Sequence, residues 1–447
     1  MARRTSEATV GMQKDTHLMS LLQALDGASL AEAQAVFLAG GEPLEPISLP
    51  LGEAQNRALA APIQAPMALP PYDNSAMDGY ALRSSDVAEA TADQPVALTL
   101  MGEASAGHAL LGVLSARQAA RIMTGAPLPT GADAILPNEE ATFDSGILRV
   151  TSPLLPARHV RRVGEDIAMG QSVFDAGKEL GPADLALLAA LGFSEVRVVR
   201  QPRVAVLTTG DELRRPGEAR GASGIYNANL FALCAQLREA GAEPVPLPSS
   251  ADQPAAIDAA LSAALEADAV VTSAGVCTGD HDHVCATLRR RGAFVAGCLR
   301  LRPARHVGLG EVEGRPVFAL PGNPAASLLA FELLVRPAIL RMGGHCSWRR
   351  PQVRATLGEA IQHAPGLTHV FWVRLEATTV GCRCVLSGPQ GAGMLGSAAA
   401  ADGLLVVPES SPGYAVGDMV SVQLLTGVAL PACNSSVFAR SPYFSVG

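Results

Sequence analysis

The chain has 447 residues, of which 48% are hydrophobic and 17% charged, and its formal net charge is −8. This composition is typical of a multidomain globular protein, and the acidic balance with only 4% aromatic residues argues against nucleic-acid binding. No apolar run reaches the length of a membrane span, and the amino-terminal segment lacks the apolar core of a signal peptide. The eight cysteines form no CxxC pair, which favours reduced thiols and a cytoplasmic location.

The first part of the chain combines helical and β-prone segments. Apolar residues recur at helical spacing over 16–38, and Gly27 divides this stretch into two predicted helices. The segment 70–86 is polar and turn-rich, and its composition alone predicts a hairpin. Short β-prone segments alternate with Gly/Pro turns over 96–150, which predicts a small, irregular β domain. The arginine-rich segment 157–167 has the pattern of a solvated charge run, and a compact helix is predicted over 185–192.

Strands and helices alternate from residue 203 onward. Predicted strands at 203–208, 269–271, 294–301 and 316–320 are interleaved with predicted helices at 229–241, 255–267 and 283–291. This alternation predicts a parallel sheet with helices on both faces, which is a three-layer α/β domain. The last strand leads into a helix with Asn323 at its N-cap and Pro324 at its first position.

Three glycine-containing loops, at 209–213, 273–282 and 321–327, leave the carboxyl ends of predicted strands. Ligands bind at that edge of an open α/β sheet, and glycine lets backbone N–H groups approach anionic oxygens. The loop at 273–282 also ends in carboxylate and imidazole side chains, a combination that suits a phosphate site with a metal nearby. Taken alone, this loop is equally consistent with an ordinary strand-to-helix turn.

The helical pattern ends beyond residue 345. Short predicted strands separated by Gly/Pro turns indicate a small β-barrel or sandwich of about 80 residues. The segment after Pro431 has no periodicity, and we expect the tail at 429–447 to be mobile.

Six segments, in chain order, resemble the molybdopterin molybdenumtransferase family, known as MoeA and related to the E domain of gephyrin. They are PYDNSAMDGYALR (71–83), RIMTGAPLPTGADAILPNEE (121–140), VRRVGEDI (160–167), TTGDEL (208–213), DAVVTSAGVCTGDHDHV (268–284) and LPGNPAASLLAFELLVRP (320–337). The resemblance extends over about residues 16–425 and implies a multidomain α/β plus β fold. Its parts are an elongated helical/β N-terminal domain for linking and dimerisation (16–65 and 158–195), an irregular β domain (66–157), a central three-layer parallel α/β domain that binds molybdopterin and is similar to MogA (196–345), and a C-terminal β-barrel (350–428).

The resemblance also implies an activity and its partners. Members take adenylylated molybdopterin and molybdate, insert the metal at the dithiolene, and release AMP in the last step of molybdenum cofactor synthesis. A substrate with a phosphate and a phosphoanhydride requires N–H-lined loops, cationic side chains and a divalent cation, here Mg²⁺. A homodimer and contact with the upstream molybdopterin adenylyltransferase are implied as well, and neither nucleic acid nor a membrane is expected as a partner.

Site residues follow from the matching positions. The resemblance implies catalytic roles for Asp78, Thr124, Glu212 and Asp282, and metal binding by Glu212, Asp252 and Asp282. At Asp252 the usual pair of aspartates is reduced to Asp-Gln. Substrate binding is implied for the loop residues Gly275, Gly279, Gly322 and Asn323, for Arg302 and Arg305 in place of the usual lysines, and for Ser397 near the molybdate pocket.

Three positions depart from the family pattern. Ala274 replaces a glycine of the second loop, Ala392 replaces a serine, and Trp372 stands where a basic residue is common. The last two fall around the expected oxyanion pocket, so a catalytically impaired molybdopterin-binding or scaffold protein is an alternative hypothesis. A third hypothesis is molybdopterin adenylyltransferase, whose domain resembles the α/β domain; the additional N-terminal and C-terminal domains favour the molybdenumtransferase.

Overall fold

The structure, a computed structural model, describes residues 25–425 except Gly275, residues 277–282 and Val380. The chain divides into two compact units. One consists of residues 48–55 and 59–197, and the other of the residues up to 47, residues 56–58 and the residues from 198 onward. The predicted helix before Gly27 and the tail at 429–447 lie outside the described residues. None of the helices within that part of the chain is long and apolar enough to cross a membrane.

The helices follow the signals for helix ends in the sequence. They are α1 (Leu30–Ala39), α2 (Pro182–Ala190), α3 (Ala228–Glu239), α4 (Pro254–Ala264), α5 (His283–Arg291), α6 (Pro324–Ala330), α7 (Arg336–Met342) and α8 (Leu395–Ala399), with a π-helical segment at Phe331–Val335 and 3₁₀ turns at Leu51–Glu53, Ser84–Val87 and Asn138–Glu140. Ser29 and Glu32 form a capping box at the start of α1, each side chain accepting from the other's backbone N–H. The predicted helices at 229–241, 255–267 and 283–291 correspond to α3, α4 and α5.

A six-stranded sheet forms the core of the unit that contains residues 59–197. The strands over this part of the chain are β1 (Pro46–Pro50), β2 (Ile63–Gln64), β3 (Asn74–Ser75), β4 (Gly79–Leu82), β5 (Val96–Ala104), β6 (Gln118–Ile122), β7 (Ala134–Pro137), β8 (Thr142–Asp144), β9 (Ile147–Val150), β10 (Val160–Arg161), β11 (Ser172–Phe174) and β12 (Glu195–Val199). The sheet order is β7-β4-β6-β5-β9-β8. Buried Leu82, Leu98, Leu136 and Leu148 pack on one of its faces. The predicted irregular β domain is therefore confirmed.

The other unit contains a second six-stranded sheet. The strands over this part of the chain are β13 (Arg203–Thr208), β14 (Leu213–Arg214), β15 (Ile225–Tyr226), β16 (Glu243–Pro246), β17 (Ala269–Ser273), β18 (Gly292–Cys298), β19 (Leu301–Arg302), β20 (His306–Val312) and β21 (Arg315–Leu320). Outside the sheet, β14 pairs with β15, and β19 pairs with a strand of the C-terminal barrel. The sheet order is β16-β13-β17-β21-β20-β18, with α-helical layers packed through two separate apolar clusters. The α/β sheet predicted from the alternating pattern is confirmed, and β17 is buried at every position.

The predicted parallel sheet also has an antiparallel edge, which the alternating pattern did not indicate. Strands β16, β13, β17 and β21 are parallel, but β20 runs antiparallel to both β21 and β18. The physical reason is the tight connection at Glu313 and Gly314, which have φ values of 51° and 77°. Two consecutive residues with positive φ are typical of the two-residue turns that join antiparallel strands. The sequence analysis also missed β20 itself.

Residues 352–424 contain a closed β-barrel. Its strands and one short pair beside it are β22 (Gln352–Leu357), β23 (Ile361–Gln362), β24 (Thr368–Thr378), β25 (Gly381–Leu386), β26 (Gly403–Val407), β27 (Gly413–Tyr414) and β28 (Met419–Leu424). The order β24-β25-β22-β28-β26 closes because β26 also pairs with β24. Strand β19 extends the sheet by pairing with β24 in parallel. Of the two predicted possibilities, barrel or sandwich, the structure has the barrel.

Candidate active site

The sheet-edge pocket is a cavity of about 320 Å³ at the carboxyl ends of β13, β17 and β21. Its walls come from the three loops that follow these strands and from the start of α3. They include Thr208, Thr209, Glu212, Tyr226, Asn229, Ser273, Ala274, Gly322 and Asn323. The predicted convergence of three loops at one sheet edge is thus seen for the described residues. Gly275, Gly279 and Asp282, also predicted for this site, lie outside them.

Glu212 is the carboxylate that lines this pocket. The loop reaches it through Gly210, which has a φ of +145°, and a Cβ added there would lie 2.6 Å from Glu212 Oε2. The positive φ favours glycine here, and any larger residue would also require the Glu212 carboxylate to move. Glu212 is exposed, and its side chain makes no hydrogen bond or ion pair with another described residue. It is available to a ligand.

The Glu212 carboxylate is a donor that suits Mg²⁺, but Asp282, another of the predicted ligands, lies outside the described residues. Asp252 is exposed beyond the pocket wall, and its backbone N–H donates to Asp211 Oδ1 at 3.1 Å. Among the described residues no cluster of three potential metal ligands occurs. Mg²⁺ is commonly held by one or two carboxylates together with substrate phosphates, so Glu212 suits such a site. The roles of Asp252 and Asp282 stay predictions.

Two asparagines that the sequence analysis missed hold the loops together. Asn227 caps α3, and its Nδ2 donates to Thr208 Oγ1 at 2.8 Å. Asn229 Nδ2 donates to both Ser273 Oγ and the Gly322 carbonyl oxygen, each at 2.7 Å. Asn229 therefore joins the loops after β17 and β21, and its Oδ1 is buried without a partner in the described structure. The signal in the sequence was Asn-Ala-Asn directly before an apolar helix.

The third loop carries Gly322 and Asn323 into helix α6. Asn323 occupies the N-cap position as predicted, with Pro324 in the first turn, but its side chain makes no capping hydrogen bond. Its amide therefore remains available beside the pocket. One turn later the Ala326 N–H donates to the Ala392 carbonyl oxygen at 3.1 Å. This contact ties the sheet-edge pocket to the loop that lines a second cavity.

The barrel pocket, a cavity of about 590 Å³, lies where β19 meets the barrel. Its lining residues come from three segments, which are 302–304, 362–372 without Gly366 and Thr368, and 390–392. Arg302, predicted to bind substrate, stands opposite His369 in the parallel β19–β24 pairing. His369 stacks on His363 with 4.1 Å between the ring centroids. Neither histidine was singled out from the sequence.

The other two predicted residues of this region make protein contacts. Ser397 is buried, and its hydroxyl donates to the Pro389 carbonyl oxygen at 2.7 Å, so it holds the 387–391 loop in place. Arg305 is exposed, and its Nε lies 2.8 Å from Cys298 Sγ. Neither side chain lines the barrel pocket. Direct substrate binding by these two residues stays a prediction.

Asp78 and Thr124 form a pair in the unit that contains the irregular β domain. Asp78 Oδ1 accepts from the Thr124 N–H at 2.7 Å and from the Thr124 hydroxyl at 2.8 Å. These two hydrogen bonds hold the pKa of Asp78 below its usual value, and the bond from the backbone N–H contributes more than the bond from the hydroxyl. Both residues are exposed. The two predicted catalytic positions therefore share one ionised, outward-facing carboxylate.

Comparison with known proteins accounts for nearly the whole described chain. Three family models match consecutive regions, "MoeA N-terminal region (domain I and II)" over 28–192, "Probable molybdopterin binding domain" over 205–341, and "MoeA C-terminal region (domain IV)" over 354–425. The first region contains α1 and the first six-stranded sheet, the second contains most of the α/β sheet, and the third contains most of the barrel.

Curated proteins and solved structures agree with these matches. The chain is 36% identical to "Molybdopterin molybdenumtransferase 2" of Mycobacterium tuberculosis, over 89% of this chain and 100% of that protein. It is 37% identical to the molybdopterin molybdenumtransferase of Haemophilus influenzae, over 68% of this chain and 74% of that protein. The crystal structure of a molybdopterin biosynthesis MoeA protein from Pyrococcus horikosii superposes with a TM-score of 0.78 at 30% identity, covering 89% of this chain and 99% of that one. The chain belongs to the MoeA family of molybdopterin molybdenumtransferases.

Proposed function

We propose that this protein is a molybdopterin molybdenumtransferase that inserts molybdenum from molybdate into adenylylated molybdopterin and releases AMP. The observation that carries the proposal is the pairing of two chemically different pockets in one unit. The sheet-edge pocket offers a free carboxylate and amide groups, whereas the barrel pocket offers a guanidinium and two imidazoles. The hydrogen bond from the Ala326 N–H to the Ala392 carbonyl oxygen links their walls.

In the sheet-edge pocket we assign Glu212 to Mg²⁺ and Asn229 to loop positioning. Bound Mg²⁺ supplies positive charge that neutralises phosphate oxygens. Asn229 fixes the loops after β17 and β21 at the spacing that the phosphate-bearing substrate requires, because its amide bridges Ser273 and Gly322.

In the barrel pocket we assign Arg302 to molybdate. A guanidinium recognises oxyanions through several N–H donors at once, so it orients as well as attracts the ion. Ser397 acts indirectly in this proposal, since its hydroxyl positions the loop that carries Ala392. For Asp78 and Thr124 we propose a role in orienting the substrate, the threonine keeping the carboxylate ionised.

Two alternatives remain distinct from this proposal. An adenylyltransferase would require only the α/β domain, whereas this chain also carries the regions at 28–192 and 354–425. A scaffold that binds adenylylated molybdopterin without turnover would retain the sheet-edge pocket but release no AMP. The substitutions at Trp372 and Ala392 favour that alternative only if they disable the barrel pocket.

The deciding experiment follows AMP release by the purified protein supplied with adenylylated molybdopterin, molybdate and Mg²⁺. We expect release that requires all three, and a loss of about 100-fold or more for Glu212→Gln, because the carboxylate is replaced by a neutral amide at the proposed metal position. Glu266→Gln is the matched control, since Glu266 is exposed and away from both pockets. Absence of AMP beside a competent relative would refute the transferase, and ATP-dependent adenylylation of molybdopterin would support the adenylyltransferase instead.

Further parts of the proposal concern metal, assembly and location. We propose Mg²⁺ dependence, a homodimer, and substrate transfer from the upstream molybdopterin adenylyltransferase. We also propose a cytoplasmic location, which the cysteine pattern of the sequence favours. Activity after EDTA chelation and readdition of Mg²⁺ tests the metal dependence, and light scattering tests the homodimer. An assay that contains both enzymes tests substrate transfer from the adenylyltransferase.

A further inference from the structure

The stacked histidines give the barrel pocket a group that can change charge. The rings of His363 and His369 lie 20° from parallel with 4.1 Å between their centroids, and the ring of Phe371 stacks with that of His369 at 6.0 Å. Such a stack fixes the orientation of the central ring. Arg302, from the neighbouring strand β19, is the fixed positive charge among the residues that line the same cavity.

The contacts of the two rings distinguish their roles. His363 Nδ1 lies 3.0 Å from the Ala364 carbonyl oxygen, so this nitrogen carries the proton, since a carbonyl only accepts. The remaining nitrogen of His363, Nε2, is buried and without a partner in the described structure, which leaves it out of reach of a ligand. His369, by contrast, is half-buried and makes no hydrogen bond to a described residue. His369 is therefore the imidazole that can contact a bound ion.

The surroundings of His369 keep it neutral while the pocket holds only water. Burial first, and then electrostatic interaction with the neighbouring His363 and Arg302, lower the pKa of His369 below its usual value. Arg300 and Glu409, from the adjoining segments, pair with each other at 2.8 Å and so contribute little net charge. A dianion placed beside His369 and Arg302 reverses this balance, because it attracts both cations and offsets their mutual repulsion.

We propose that molybdate binding in the barrel pocket is coupled to the uptake of one proton by His369. The imidazolium then donates to an oxyanion oxygen opposite Arg302, while His363 and Phe371 hold the ring in place. This inference rests on the proposed assignment of molybdate to this pocket. A tetrahedral dianion is the class of ligand that suits one fixed and one acquired positive charge. Affinity should consequently rise as the pH falls, by up to about tenfold per pH unit for one fully linked proton.

Calorimetric titration of the full-length protein with sodium molybdate tests the coupling. Measurements at one pH in buffers of different ionisation enthalpy give the number of protons taken up, and a series between about pH 6 and pH 8 spans the range where histidine titrates. We expect an uptake close to one proton for the unaltered protein and for His108→Gln, an exposed histidine of the other unit. His369→Gln should abolish the uptake and flatten the pH dependence. In the unaltered protein, the NMR titration of His369 should show a higher pKa with molybdate than without it, which does not depend on the variant folding.

Each outcome decides a separate question. Binding with no proton uptake, and equal in His369→Gln, would overturn the coupling while leaving the molybdate pocket and the transferase intact. Absence of molybdate binding at every pH would overturn both the coupling and the assignment of this pocket. AMP release, measured separately, reports on the transferase itself, so failure of the proposed function is distinguished from failure of this inference.

Discussion

Replacing Ala274 with glycine should stabilise the loop that follows β17. Ala274 has a φ of +86°, a conformation that L-residues with a Cβ rarely adopt and that costs them about 1–2 kcal/mol. Glycine removes this strain but gives the unfolded chain more freedom, which costs about 0.4–1 kcal/mol. The free energy of unfolding is therefore expected to rise by about 0.5–1 kcal/mol.

Packing should not cancel this gain. Ala274 is only half-buried at the pocket wall, and a Cβ added at Gly322 would still lie 3.4 Å from the Ala274 Cβ, an ordinary contact distance. The methyl group is thus not wedged into a tight core, and its removal widens the sheet-edge pocket rather than leaving a sealed cavity.

Urea titration of both proteins, with hydrogen exchange of the β17 and β21 amides, measures the effect locally as well as globally. Ala400→Gly is the matched control, because it deletes the same atoms from an exposed residue with a φ of −92° at the end of α8. That substitution should lower the free energy of unfolding by about 0.4–1 kcal/mol. If Ala274→Gly instead destabilises the protein as much as Ala400→Gly does, the strain assigned to Ala274 is wrong.

Two further substitutions test single interactions. Thr124→Val removes the hydroxyl donor to Asp78 but keeps the backbone donor, so the pKa of Asp78 should rise towards, yet stay below, its usual value in a carboxyl NMR titration. Because the pKa of Asp78 is lower in the folded protein than in the unfolded chain, its ionised form stabilises the fold at pH values above the unfolded pKa. This stabilisation is lost as the pH falls through the folded pKa. An unchanged pKa of Asp78 in Thr124→Val would contradict this account. The guanidinium of Arg350 donates to both carboxylate oxygens of Glu332, at 2.8 and 2.9 Å, and the Glu332 side chain is only 4% exposed. Arg350→Met removes this bidentate partner and should lower the free energy of unfolding, measured in urea, by about 3–5 kcal/mol. The exposed Arg349→Met should stay within about 0.5 kcal/mol of the unaltered protein, and equal costs would rule out the buried pair as the cause.

The elements that the sequence predicts well are those with local signals. Hydrophobic spacing and end residues located α3 to α5, the buried strand β17 and the start of α6 at Pro324, since each depends on neighbours within one or two turns. Strand β20 escaped prediction because its run HVGLGEV contains two glycines, which weaken the β pattern. Its antiparallel direction depends on the positive φ of Glu313, which has no signature in the residue type.

The site shows the same division between local and distant information. The family resemblance assigned Glu212, Asn323 and Arg302 to the site, because each matches a position in a family motif, and all three line the pockets. The histidine stack depends instead on the segment that brings His363 over His369, and the position of Arg302 opposite His369 depends on the pairing of β19 with β24 across many intervening residues. No periodicity encodes such long-range pairing, so a single sequence could not reveal it.

The position of Trp372 changes how the loss of a basic residue there should be understood. Its side chain is 4% exposed and belongs to the main apolar cluster, while its backbone N–H donates to Gln390 Oε1 at 2.9 Å. The residue therefore serves mainly to pack the pocket floor, and positive charge in the pocket comes from Arg302 and, on protonation, from His369. We propose that the pH-dependent charge of His369 serves where the family resemblance implies a basic residue at 372. If so, AMP release at limiting molybdate should fall between about pH 6.5 and pH 8, and His369→Gln should remove that dependence. Release that is absent at every pH, despite tight binding of adenylylated molybdopterin, would instead favour the scaffold.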